Sequence, residues 1–92
     1  MDLSRSYHTN RIYLRAQGRF IFWCKAQGLA HPVLPADIAR FLQHIARERG
    51  FTNVPVYCSA IAALYRPKGW PIDPKAPPIR RVIRKARLGM AA

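Results

Sequence analysis

Arg11, Arg15, Gly18, Phe22 and Lys25 follow one another at intervals of four and three residues. At about 100° per residue they gather within about 60° of one direction on a helix, opposite the side that Tyr13 occupies. Guanidinium groups one turn apart can meet successive phosphates, or the edge of guanine in a major groove, and a glycine between them lets the backbone come close. Arginines on the outer side of an amphipathic helix are also ordinary solubilising residues. Here no acid in the same helical stretch balances the stripe, and Phe22 lies in its middle, which points to a polyanionic partner.

Other chemistries find no support in the residues. The four acids, Asp2, Asp37, Glu48 and Asp73, are scattered. The first three read as a tail charge, a helix-start charge and part of a solvated face, so no carboxylate pair is available for general acid and base work. His8, His31, His44, Cys24 and Cys58 show no CxxC, HxxxH or HExxH spacing, so no metal or other cofactor is expected. The five glycines stand singly, which leaves no glycine-rich loop to cradle a phosphate. The chain is therefore read as a binding module without enzymatic activity of its own and without a small-molecule substrate.

The balance of charge agrees. Sixteen Lys and Arg against four Asp and Glu give a formal charge of +12 over 92 residues, a self-repulsion that a polyanion relieves. Residues 1–46 hold six basic and two acidic groups, while residues 47–92 hold ten and two, so the second half seeks polyanions more strongly. Half of the residues are hydrophobic, which predicts a folded domain, not a basic tail. The N-terminus has no apolar run, and the longest uncharged stretch, residues 50–65, is too short to span a bilayer. Cys24 and Cys58 sit inside apolar patterns and read as reduced core residues, so a cytoplasmic, nucleoid-associated protein is expected.

Four helical patterns must position these residues, over about 9–27, 35–49, 53–66 and 78–88, and no strand-type alternation occurs. The expected fold is all-α. In the first pattern Tyr13, Ala16, Phe20, Trp23, Cys24 and Gln27 share the core face, with Ser6 or Thr9 as N-cap and Gly28 as the stop. Pro35 and Asp37 open the second, in which Ile38, Phe41, Leu42, Ile45 and Ala46 keep the helical rule up to Gly50. Asn53 is the expected N-cap of the third, whose inner face holds Val54, Tyr57, Cys58, Ile61, Leu64 and Tyr65. The connector over 67–78, with five of the eight prolines, should be extended, pinned by Trp70 and Ile72. Ile79, Val82, Ile83 and Ala86 form the apolar side of the last helix, and the end from Gly89 should fray.

Two further surfaces follow from these faces. The outer side of the third helix carries Thr52, Pro55, Val56, Ser59, Ala63 and Arg66. It suits either a groove, with Ser59 on phosphate and Arg66 on a base or phosphate, or a packing contact. The last helix places Arg80, Arg81, Arg84, Lys85 and Arg87 outside its apolar side, fit for phosphate contact or for a basic linker to a further domain.

The run His8-Thr9-Asn10-Arg11 leading to Phe20-Ile21-Phe22-Trp23-Cys24 is followed by Leu34-Pro35-Ala36 and Ile38-Ala39-Arg40-Phe41-Leu42, then by Ser59-Ala60-Ile61, Tyr65 and Gly69-Trp70-Pro71. In order and spacing, over about residues 6–88, this series resembles the core-binding domain of tyrosine recombinases, the phage-integrase family that includes Cre-type enzymes. The resemblance implies a SAM-like orthogonal bundle of four to five helices, a single core-binding domain over 1–92, that forms half of a clamp around duplex DNA. It implies DNA near Arg11, Ile12 and Arg15 on the first helix and near Val56 and Ser59 on the third, in adjacent major grooves, and other recombinase protomers as partners on the DNA. The chain departs from the family at Asn53, where a capping Thr is usual, at Pro55 and Val56, which replace polar groups, and at Tyr65, where a His is common. The family's catalytic tyrosine and its Arg-Lys-His-Arg set belong to a following domain, so the expectation here is DNA binding for recombination and integration, without strand cleavage. Lys25, Arg66, Arg80 and Arg84 complete the candidate DNA-binding set on charge and position alone. Two other readings suit the same charge: a small nucleic-acid-coating or RNA-binding protein, and a membrane-active amphipathic segment, against which the core pattern already argues.

Overall fold

The helical periodicities become four α-helices in the computed structural model, which describes the chain over residues 7–91 and its side chains over residues 10–89. They are α1 (Tyr7–Ala26), α2 (Pro35–Arg49), α3 (Val54–Tyr65) and α4 (Pro77–Ala91). Among the described residues there is no strand, and the fold is an all-α four-helix bundle. α1 packs chiefly on α3, α2 packs chiefly on α4, and α3 also meets α2 and α4. α1 and α2, although consecutive, barely approach each other along their backbones.

One apolar cluster holds the helices together. α1 contributes Ala16, Phe20 and Cys24, α2 contributes Ile38, Phe41, Leu42 and Ile45, and α3 contributes Val54, Tyr57, Ile61 and Tyr65. Ile79, Val82 and Ala86 of α4 close it. The predicted inner faces are recovered, with Tyr13, Trp23 and Leu64 half-buried at the margin. Burying each large side chain contributes about 1.5–3 kcal/mol relative to exposure. Cys24 and Cys58 are both buried thiols.

Glycines in left-handed conformation turn the chain at two helix ends, a backbone region that side chains with a Cβ rarely enter. At Gly28 (φ 70°), the amide of Leu29 donates to the carbonyl of Cys24 and that of Gly28 to Lys25, at 2.9 and 3.1 Å. At Gly69 (φ 68°), Trp70 donates to Tyr65 and Gly69 to Arg66, at 3.2 and 3.0 Å. Both are the paired bonds that satisfy the last carbonyls of a helix.

The helix ends also bring the corrections. Gln27 lies past the end of α1 and is exposed, not on the core face. α1 is already helical at Tyr7, so Thr9 lies inside the helix and does not cap it. Asp2 and Ser6, and the side chain of His8, are outside the described residues. Asn53 does not cap α3: it ends a 3-10 turn, Phe51–Asn53, and its side-chain amide donates to the carbonyl of Arg49 at 2.6 Å, so it satisfies the end of α2. The helix α4 runs through Gly89 to Ala91 instead of fraying. A Cβ there would stand 2.6 Å from the ring of Phe51, so a larger residue would require that ring to shift. The connector includes a 3-10 turn, Arg66–Lys68, and an Asx turn in which Asp73 accepts the amide of Lys75 at 2.9 Å. Trp70 and Ile72 pack on the core as expected.

Tyr65 fastens two loops at once. Its hydroxyl accepts the amide of Val33 at 3.2 Å and lies 2.7 Å from Nδ1 of His31, while Trp70 stacks on the imidazole at 5.9 Å and meets the Tyr65 ring edge-on at 5.1 Å. The His31–Pro32 peptide is cis. Burial pushes the Tyr65 hydroxyl up, and the hydrogen bond from Val33 partly opposes this.

Candidate nucleic-acid interface

α1 owes its outer surface to a single property of its sequence: its charged side chains are all basic. Arg11, Arg15, Gly18, Phe22 and Lys25 are all exposed, as the periodicity predicts. Phe22 stands 75% exposed, and Leu14, at 67%, and Ile21, at 44%, share the outer side. The stripe is thus more apolar than its charge suggests. Ile12 is 40% exposed, at the flank of the stripe.

Between α1 and α2, whose backbones barely approach each other, a groove of about 1070 Å³ opens. Arg15, Gly18, Arg19, Phe22 and Trp23 line one wall, and His44, Glu48 and Arg49 of α2 line the other, with Asn53 beyond. The floor is aromatic. Phe41 packs against Phe20 at 5.0 Å and against Trp23 at 5.5 Å. Arg40 lies 5.5 Å from the Trp23 ring and also bonds Asp37 and the side-chain oxygen of Gln27, both at 3.3 Å, so its charge is already engaged outside the groove. Arg19, His44 and Arg49 escape sequence reading because they converge only through the angle between two helices. Of these, Arg19 alone had a signal, since it lies about 40° along the helix from Arg15.

A second hollow, of about 600 Å³, gathers Lys75 from the connector with Arg80, Arg84 and Arg87 of α4, around Ile83 and Pro74. A third, of about 760 Å³, brings Arg47 of α2 together with Arg81 and Lys85 of α4 over Phe51, Ala46 and Val82. Four cations in the one and three in the other, with no acid among the lining residues, make both strongly anion-seeking.

The predicted contacts therefore separate into groups. Arg15 joins the α1–α2 groove, and Arg80 and Arg84 share the α4 hollow. Arg11, Ile12 and Lys25 stay on the outer side of α1 and line none of the three hollows. Ser59 and Arg66 are exposed and Val56 is half-buried, and none of them lines a hollow either. α1 is tied to α3 by Gln17, whose side-chain amide donates to the carbonyl of Ala60 at 2.9 Å, which fixes the stripe relative to the α3 face.

Among the described residues, no group of three or more His, Cys, Asp or Glu side chains could hold a metal ion. No helix among them is long and apolar enough to cross a membrane. No protein-family model and no curated protein matches this chain with statistical significance.

Proposed function

We propose that the chain binds duplex DNA, as the core-binding module of a tyrosine-recombinase-type protein, through the outer face of α1 and the cationic surface of α4. The observation that carries this reading is the outer face of α1: exposed Arg11, Arg15 and Lys25 with exposed apolar side chains between them, and no acid in the helix. A solvated face has no need of bare Leu and Phe side chains, whereas a surface that lies in a groove uses both kinds. Arg80 and Arg84, clustered with Lys75 and Arg87, supply sequence-independent attraction to phosphates. The link to recombinases rests on the order of sequence motifs, and an all-α bundle is compatible with it. Strand cleavage forms no part of the proposal.

The test is fluorescence anisotropy of the chain with labelled duplex DNA and matched RNA across a salt series. Preference for the duplex, with log affinity falling linearly against log salt, is expected. Arg11→Ala and Arg15→Ala should each weaken binding by about 1–3 kcal/mol where the guanidinium reads a base, or lower the salt slope by about 1 where it meets phosphate. Unchanged binding in the double variant would remove α1 from the interface. Equal or tighter binding of RNA would favour a general coating protein.

A further inference from the structure

Resting on that nucleic-acid reading, we propose that the groove between α1 and α2 is a site for an unpaired nucleotide, with Phe22 stacking on the base and Arg15, Arg19 and Arg49 meeting the flanking phosphates. Three observations converge on it. Phe22 projects with three quarters of its surface exposed, in a wall that also carries Arg15 and Arg19 and faces Arg49. An open aromatic ring among cations is the arrangement on which single-stranded nucleic acid stacks.

Gly18 is the second observation. It lies one turn before Phe22, in the interior of α1, where glycine is less favourable than alanine. Nothing in the fold demands it: its φ is not positive, and a Cβ there would meet no atom within 4 Å. In helices, side chains lean toward the preceding turn, so the Phe22 ring leans over the turn that carries Gly18, where a side chain longer than a methyl group would stand beside it. The glycine leaves that side of the ring open.

The third is the match of charge and size. Glu48 is the only acid among the lining residues, against three arginines, so the groove favours a polyanion over an ordinary protein segment. Its volume of about 1070 Å³ leaves room for a nucleotide. A paired base in a duplex has both faces covered by its neighbours and offers only edges, so the ring of Phe22 can stack only on a base that is unstacked.

Anisotropy of the full chain with a labelled single-stranded oligothymidylate, and in parallel with a duplex of equal length, tests this. Phe22→Ala should weaken single-strand binding by about 5- to 150-fold. Phe22→Trp should preserve binding and Phe22→Leu should not, because leucine keeps apolar bulk without a π face. Arg49→Ala should lower the single-strand salt slope by about 0.7. Because Phe22 is exposed, circular dichroism should show all three Phe22 variants folded. Equal binding by the leucine and tryptophan variants, or no loss in the alanine variant, overturns the site. Binding of duplex but not of single strand overturns this inference alone, whereas binding of neither overturns the nucleic-acid reading as well.

Discussion

Cys24, Cys58 and Tyr65 each favour the protonated form inside the fold. The Cys24 thiol is pushed up to about 11, first by burial and then by the Asp37 carboxylate, while burial raises Cys58 and Tyr65. In the unfolded chain the thiols lose their protons near their ordinary value of 9.0. Above that pH the folded state holds more protons than the unfolded one, so stability falls as pH rises. Urea midpoints should be level between about pH 7 and 8 and should decline from about pH 9 to 11; a level profile through that window would mean that the thiols are not buried. Two α1 side chains separate in the same measurement. Phe20 is wholly buried, whereas Trp23 is half-buried beside the groove. Phe20→Ala should destabilise by about 3–5 kcal/mol and Trp23→Ala by less, and the reverse order would contradict the assigned faces of α1. Sequence periodicity puts both on the core side and cannot rank them, because the rank depends on where α2 diverges.

At the scale of the helix, two glycines make opposite predictions from one propensity. Gly18→Ala in α1 gains helix preference and meets no neighbour, so it should stabilise by about 0.5–1 kcal/mol. Gly89→Ala gains less near the end of α4 and drives a Cβ into the body of the Phe51 ring, so it should lower the thermal midpoint. If both variants are stabilised, Phe51 moves aside freely and does not hold α4. The faces of the helices were legible in the sequence: Ile38, Phe41, Leu42 and Ile45 are buried in α2, and the basic side chains of α4 lie outside its apolar ones. The termini were less so. Asn53 has the residue type of an N-cap, yet its amide goes back to α2, and Gly89, inside α4, lies against a ring 38 residues away. The outer stripe of α1 was legible for the same reason as its core face, but the opposite wall of the groove was not. Periodicity describes one helix at a time, and His44 and Arg49 meet Arg15 only across two.

Over the whole molecule, extents of 36 × 33 × 23 Å confine a formal charge of +12. That charge is already net of the four acids, one of which, Asp37, pairs with Arg40, and the three hollows gather ten Lys and Arg side chains against Glu48 alone. Self-repulsion then weakens the fold at low ionic strength. Raising sodium chloride from about 10 to 150 mM, which shortens the screening length from about 30 to 8 Å, should raise the urea midpoint, and inorganic polyphosphate should do so at far lower concentration. A midpoint indifferent to both would mean that the cations are too far apart to repel. Tyr65 has a consequence at this scale that its distance from the groove conceals. By holding His31 and Val33 it ties the loop between α1 and α2 to the end of α3. The cleft is preorganised: whatever enters it need not order that loop, and the entropy otherwise lost on association has already been lost in folding.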